Sequence, residues 1–381
     1  MASHGMPRAS ATTERSEQAK QQEAQQIKQY RELVELVDAK ISERQYTPEV
    51  LELTSKLLKQ NPEYYTIWNH RRRILQHGFH ESLQTQGSRT ESSDTLNAHQ
   101  QEASDVLAND LRFILPLLMK FPKCYWIWNH RLWLLHQSIE LLPATVARQF
   151  WQEELGLVSK MLNRDSRNFH GWNYRRIVVA QLESLPVPSA EGRGASMVEE
   201  EFEYTTKMIR TNLSNFSAWH NRSKLIPRLL AERNATEEVR RDFLRSEFKL
   251  LEGALYTDPY DQSLWFYHGY LMRTLEPSCP KEARIVLDLS AKVEDEIVAE
   301  DIYEEQLNTI SDMLDGAEDC KWIYEALLKY SLVFRGTARG RQWISIGELE
   351  KHLDELRKLD PLRAARWDDL QKKIDENLAE D

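Results

Sequence analysis

The chain has 381 residues, 41% hydrophobic and 29% charged, with a formal net charge of −10 and a pI near 5.7. The acidic balance gives no support to nucleic-acid binding, and no apolar run approaches membrane length. Three scattered cysteines, Cys124, Cys279 and Cys320, form neither a disulfide framework nor a CxxC metal pair, so a reducing, cytoplasmic location is expected.

Residues 1–20 have few apolar side chains to bury and read as a disordered tail. They include no apolar stretch of the kind a secretory signal needs. With only 13 glycines and 13 prolines, the rest of the chain favours helices. Val50 to Leu58 is amphipathic, and Asn61-Pro62 closes it as proline should just beyond a helix end. NPEYYTIWNHRR follows, around Trp68. The same order then recurs. Leu111 to Met119 precedes FPKCYWIWNHRL at Trp128, and Trp151 to Leu162 precedes DSRNFHGWNYRR at Trp172. Phe202 to Ile209 precedes NLSNFSAWHNRS at Trp219, and Phe248 to Tyr256 precedes DPYDQSLWFYHG at Trp265. A weaker sixth copy, EDCKWIYEALL, is aligned on Trp322. Successive spacings are 60, 44, 47, 46 and 57 residues by subtraction of those positions. Periods in the forties suit helical-pair repeats, and the long intervals accommodate insertions. Glycine, serine, proline and glutamine content places insertion loops at about 78–104 and 185–196. Residues from about 281 to 376 carry helical periodicity and read as a closing cap.

Each copy has an aromatic three residues before Trp (Tyr65, Tyr125, Phe169, Phe216; Gln262 is the exception). Each has arginine three residues after it (Arg71, Arg131, Arg175, Arg222; His268 is the exception). Spacings of three, four and seven keep side chains on one helical face, so Trp fills a core shared by neighbouring helices and Arg sits beside its rim. No hairpin can bury its stripe alone. The expected fold is therefore all-α, an α-α superhelix in which residues 21–376 form a single α-solenoid domain.

These Trp-Asn-His-Arg units resemble the protein prenyltransferase α-subunit repeat, over roughly residues 28 to 376. DPYDQSLWFYHGYLM, RNFHGWNYRR and LDPLRAARWDDL are similar to the α subunit of Rab geranylgeranyltransferase, the type II enzyme. The absence of added immunoglobulin-like or leucine-rich domains resembles the shorter fungal form. The resemblance implies a crescent-shaped α subunit in an obligate heterodimer with a β subunit. That partner would carry the zinc and the isoprenoid tunnel. The pair would transfer geranylgeranyl from geranylgeranyl diphosphate to C-terminal cysteines of Rab GTPases presented by an escort protein. No nucleic acid and no stable membrane insertion are implied. The residues agree on one point independently: the chain has no HxxEH, no ligand-spaced Cys/His/Asp cluster and no P-loop.

Carried over position by position, the resemblance implies that Lys123 and Tyr125 in PKCYWIW and His170 in NFHGW help stabilise the leaving diphosphate, together with the β subunit. Phe169 stands where farnesyltransferases more often have tyrosine, so a hydroxyl donor is absent there. All three polar residues precede or open a second helix, where unpaired N–H groups and a partial positive charge suit an anion. Taken alone, Lys123 would read as a solvated turn lysine and Tyr125 as a core aromatic. His70, His130 and His220 read as structural. His4, followed by Gly5 near the N-terminus, resembles the histidine of animal type II α subunits that can occupy the β-subunit zinc, an autoinhibitory role. Two other readings are a shared α subunit of farnesyltransferase and type I geranylgeranyltransferase, or a non-catalytic solenoid scaffold.

Overall fold

In the computed structural model, which describes residues 17–85, 96–186, 195–289, 292–293 and 296–380, the chain is almost entirely helical. The described residues fall into two compact units, those within 17–164 and 168–195, and those within 165–167 and 196–380. The hairpin array expected over 21–376 spans these two units. Stacked hairpins touch their neighbours and share no common core, so an array can resolve into more than one unit.

The first unit contains α1 (Glu17–Ser42), α2 (Pro48–Gln60), α3 (Tyr65–Thr85), α4 (Ala98–Lys120), α5 (Tyr125–Leu141), α6 (Ala144–Arg164) and α7 (Phe169–Ser184). Consecutive helices pack together, and the second helices of successive hairpins, α3, α5 and α7, also touch one another. Local chemistry sets the boundaries. Thr47 accepts the Val50 N–H at 3.3 Å with Pro48 in the first turn, and Asn97 with Gln100 forms a capping box. Two boundaries differ from the sequence reading. α1 begins at Glu17, inside the expected tail, and the expected insertion at 78–104 is narrower, because α3 runs on to Thr85 and the Asn97 box starts α4. Polar composition alone concealed both helical flanks. His4 and the middle of the 185–196 stretch lie outside the described residues.

The second unit contains α8 (Val198–Thr211), α9 (Phe216–Glu232), α10 (Glu237–Thr257) and α11 (Gln262–Arg273). Then come α12 (Val298–Asp312), α13 (Lys321–Phe334), α14 (Ala338–Trp343), α15 (Ile346–Leu359) and α16 (Ala364–Glu380). The helical reading of 281–376 is corrected at its start. Lys281–Ala283 is one 3-10 turn, and Lys292–Val293 pairs antiparallel with Glu296–Ile297 as a two-residue ladder, β1 and β2. Here too the second helices, α9, α11 and α13, touch in sequence.

The repeat tryptophans Trp68, Trp128, Trp172 and Trp219 are each 3% exposed or less, as the periodicity predicts. Indole N–H groups donate to the carbonyl six residues earlier. Trp68 bonds Pro62 at 2.8 Å, Trp128 bonds Pro122 at 2.9 Å, Trp219 bonds Leu213 at 2.8 Å and Trp265 bonds Pro259 at 2.7 Å. The ring thus fills the core and fastens the interhelical turn to the second helix. In the sixth hairpin Tyr324 makes this bond, its hydroxyl donating to Glu318 O at 2.9 Å. Four residues before the ring, Cys320 donates to Pro259 O at 3.1 Å, as Cys124 donates to Pro62 O at 3.5 Å. The sixth repeat is therefore centred on Tyr324. The alignment on Trp322 was two residues early, because Trp322 occupies the half-exposed slot of Trp126.

Arginine does not sit at the rim. Arg71, Arg131 and Arg222 are 3–4% exposed, and each forms an ion pair with a carboxylate on the next hairpin. Arg71 reaches Asp110, Arg131 reaches Glu154 and Arg222 reaches Glu247. A ring two residues after the next tryptophan closes each clamp. His130 Nε2 lies 2.8 Å from Asp110, the Tyr174 hydroxyl donates to Glu154 at 2.8 Å, and the Tyr267 hydroxyl donates to Glu247 at 2.6 Å. Buried charge is costly unless paired and hydrogen-bonded, and here it is both. Asp110, Glu154, Glu201 and Glu247 all stand 18 residues before Trp128, Trp172, Trp219 and Trp265, a signal the sequence reading missed. Gln306 stands 18 residues before Tyr324 and meets His268, a neutral version of the same clamp at 3.1 Å.

Candidate functional site

Three residues before each buried tryptophan the side chain opens the second helix of its hairpin. A helical side chain leans back over the turn that precedes it, so in the first turn it projects past the helix end. Tyr65 and Tyr125 are accordingly 51% exposed, Phe169 is 65% exposed and Phe216 is 47% exposed. Tyr125 is thus no core aromatic. In the first unit these rings form a continuous ridge. Tyr65 stacks on Trp126 with centroids 5.4 Å apart, Trp126 meets Tyr125 edge-on at 5.2 Å, Tyr125 faces His170 at 6.2 Å, and His170 meets Phe169 at 4.0 Å. In the second unit Phe216 contacts His220 at 5.9 Å and Phe266 at 5.8 Å. Half-exposed aromatics in rows are unusual on a free surface.

Two of the three expected anion-binding residues meet directly on this ridge, Tyr125 of α5 and His170 of α7. Lys123 is exposed in the turn between α4 and α5, two residues from Tyr125. α6 and α7 pack closely at Gly171, where a Cβ would stand 3.0 Å from Leu162 Cδ2, so the leucine would have to shift to admit one. Burial lowers the pKa of His170, with Glu63 opposing, so the ring is a neutral hydrogen-bonding group near pH 7. One expectation changes: the first N–H groups of α7 are not available to an anion, because Asn168 Oδ1 accepts from His170 N at 3.0 Å and Gly171 N at 3.2 Å. The Cys124 thiol, which precedes α5, is raised to about 11, by burial first, with the Ile127 N–H opposing, and stays protonated. It is no nucleophile.

Behind Tyr125 lies a polar group that sequence spacing did not reveal. Arg72 Nη2 donates to Asn129 Oδ1 at 2.6 Å and to Asn129 O at 3.0 Å, and Arg72 Nε donates to His130 Nδ1 at 3.3 Å. Asn129 Nδ2 in turn donates to the Tyr125 hydroxyl at 3.3 Å. Among the described residues, no group of three or more His, Cys, Asp and Glu side chains is placed to hold a metal, and no helix is long and apolar enough to cross a membrane. His70 and His130 are buried at 3% and 0% exposure, in the core rather than on the ridge.

Five stretches, 47–78, 107–138, 151–182, 198–229 and 244–275, match the family model described as the protein prenyltransferase alpha subunit repeat. The hairpins thus define a class, the helical-repeat chains of protein prenyltransferases. A Saccharomyces cerevisiae protein named geranylgeranyl transferase type-2 subunit alpha is 33% identical over 330 residues, 85% of each chain. The Schizosaccharomyces pombe protein of that name is 31% identical over 87% of each chain. The Rattus norvegicus protein of that name is 35% identical over 72% of this chain and 42% of its own length. The chain belongs to the geranylgeranyl transferase type-2 α-subunit family. A solved structure, Candida albicans protein geranylgeranyltransferase-I complexed with GGPP, superposes with a TM-score of 0.59 over 91% of each chain at 19% identity, which speaks to fold alone. That fold is the all-α superhelix of hairpin repeats.

Proposed function

We propose that this chain is the α half of a heterodimeric type II geranylgeranyltransferase. A β subunit docks on its aromatic ridge, and the pair transfers geranylgeranyl from geranylgeranyl diphosphate to C-terminal cysteines of Rab GTPases presented by an escort protein. The observation that carries this reading is the row of exposed rings at the starts of α3, α5 and α7, on which Tyr125 and His170 face each other. The partner holds a zinc ion, which when bound lowers the thiol pKa of the accepting cysteine. This chain's share is electrostatic. As the carbon–oxygen bond to diphosphate breaks, negative charge grows on the leaving oxygens. Lys123 supplies a full positive charge, and Tyr125 and His170 supply donors preset on rigid helix starts. Donors fixed where charge develops need no reorganisation during the reaction. Removing one such donor typically slows turnover by about 10²-fold.

Purified together with a type II β chain, the protein should modify a Rab–escort complex with geranylgeranyl diphosphate and leave a lone CaaX peptide with farnesyl diphosphate essentially untouched. Preference for the peptide would overturn the type II assignment in favour of a shared farnesyltransferase and type I subunit.

A further inference from the structure

We propose that Arg72 and Asn129 are positioning residues that hold the Tyr125 hydroxyl as a donor pointing away from the protein. This rests on the reading that Tyr125 hydrogen-bonds the leaving diphosphate. A hydroxyl can donate or accept, and its direction is set by its other neighbours. Here the neighbours leave one choice. Asp110, paired with Arg71 and held below the usual carboxylate range despite burial, is an acceptor only. His130 is fully buried, and burial lowers its pKa, so it is neutral; its Nε2 must carry the proton that meets Asp110 at 2.8 Å. Nδ1 is then an acceptor, and Arg72 Nε fills it at 3.3 Å. The same guanidinium also lies over the Trp133 ring at 5.5 Å, which fixes its plane. Its Nη2 donates to Asn129 Oδ1 at 2.6 Å. That contact decides the Asn129 carboxamide: the oxygen faces Arg72, so the NH₂ faces Tyr125 and donates to its hydroxyl at 3.3 Å. With that lone pair occupied by a donor, the Tyr125 proton is directed elsewhere. The ring is 51% exposed, so elsewhere means the face where His170 also stands.

The relay runs Asp110, His130, Arg72, Asn129, Tyr125, and every step has a forced direction. It connects a buried interhairpin clamp to an exposed group. It also explains an arginine whose pKa is lowered by burial yet which makes no ion pair among the contacts described: its role is to orient.

The test is a double-mutant cycle in the reconstituted heterodimer, reading single-turnover transfer and, separately, geranylgeranyl diphosphate affinity. Asn129→Leu keeps the side-chain shape and removes both bonds. We expect it to slow transfer about fivefold with little change in affinity, and to have no further effect in the Tyr125→Phe background. Arg72→Lys, which loses the fork, should behave like Asn129→Leu. An equal loss from Asn129→Leu in both backgrounds would show a merely structural role and overturn the inference. No loss in Asn129→Leu while Tyr125→Phe is slow would overturn it too, leaving the donor role of Tyr125 intact. If Tyr125→Phe itself transfers at the full rate, the underlying reading fails first and the inference falls with it.

Discussion

Arg131 and Glu154 face each other across two hydrogen bonds, Nε to Oε1 at 2.8 Å and Nη2 to Oε2 at 2.6 Å, with 5% and 3% of their side chains exposed. The parallel pair joins the second helix of one hairpin to the first helix of the next. Tyr174 adds a third bond to the same carboxylate. Removing one partner leaves the other charged and dry. Glu154→Ala should therefore cost about 3–5 kcal/mol in chemical denaturation. Replacing both by apolar residues, Arg131→Met with Glu154→Leu, should recover most of that loss. If the single substitution cost under about 1 kcal/mol, the clamp would not hold the array together.

The sixth repeat gives a test of register. Tyr324→Phe removes only the bond to Glu318 O and should cost about 1 kcal/mol. Trp322→Phe, at the half-exposed slot, should cost less than that. The reverse order would restore the alignment on Trp322.

His268 predicts a pH dependence. Its Nε2 meets Gln306 Oε1 at 3.1 Å and its Nδ1 meets the Tyr330 hydroxyl at 3.0 Å, and burial lowers its pKa to about 4. Unfolded, the ring titrates near its ordinary value of about 6.5. Between those two values the unfolded chain binds the extra proton, so stability falls on acidification from about 6.5 and levels off below about 4. The loss should be about 3 kcal/mol from this residue. His130, also fully buried with its pKa lowered to about 4, contributes in the same window, so His268→Asn should make that part of the denaturation-midpoint profile shallower without abolishing it; an unchanged slope would rule His268 out as a source.

If Lys123 serves the proposed diphosphate site, Lys123→Ala in the heterodimer should lower turnover by roughly 10²-fold while leaving the melting temperature of the complex alone. Unchanged turnover would return Lys123 to an ordinary turn lysine.

Much of this was legible in the residues. Indole periodicity located five hairpins, and Pro62, Pro122 and Pro259 marked the turns of three of them, because proline and large apolar rings have few places to go in a helical stack. The buried carboxylates were not seen, although their constant offset from each tryptophan was there to find. A lone Glu154 in QEELGL resembles any solvated glutamate until the neighbouring hairpin is placed against it. The sixth register slipped because Trp322 outweighed Tyr324 by size, whereas the bond to the turn carbonyl decides the slot. At the site, family resemblance pointed to Lys123, Tyr125 and His170. Arg72 and Asn129 stayed hidden because they lie 57 residues apart and meet only across α3 and α5.

The claim that this chain is half of an enzyme is tested most directly by titrating it against a fixed amount of β subunit. The readout is geranylgeranyl transfer to a Rab–escort complex. Neither chain alone should transfer, and activity should rise linearly and stop at a one-to-one ratio. Full transfer by either chain alone, or a β subunit indifferent to this one, would contradict the account.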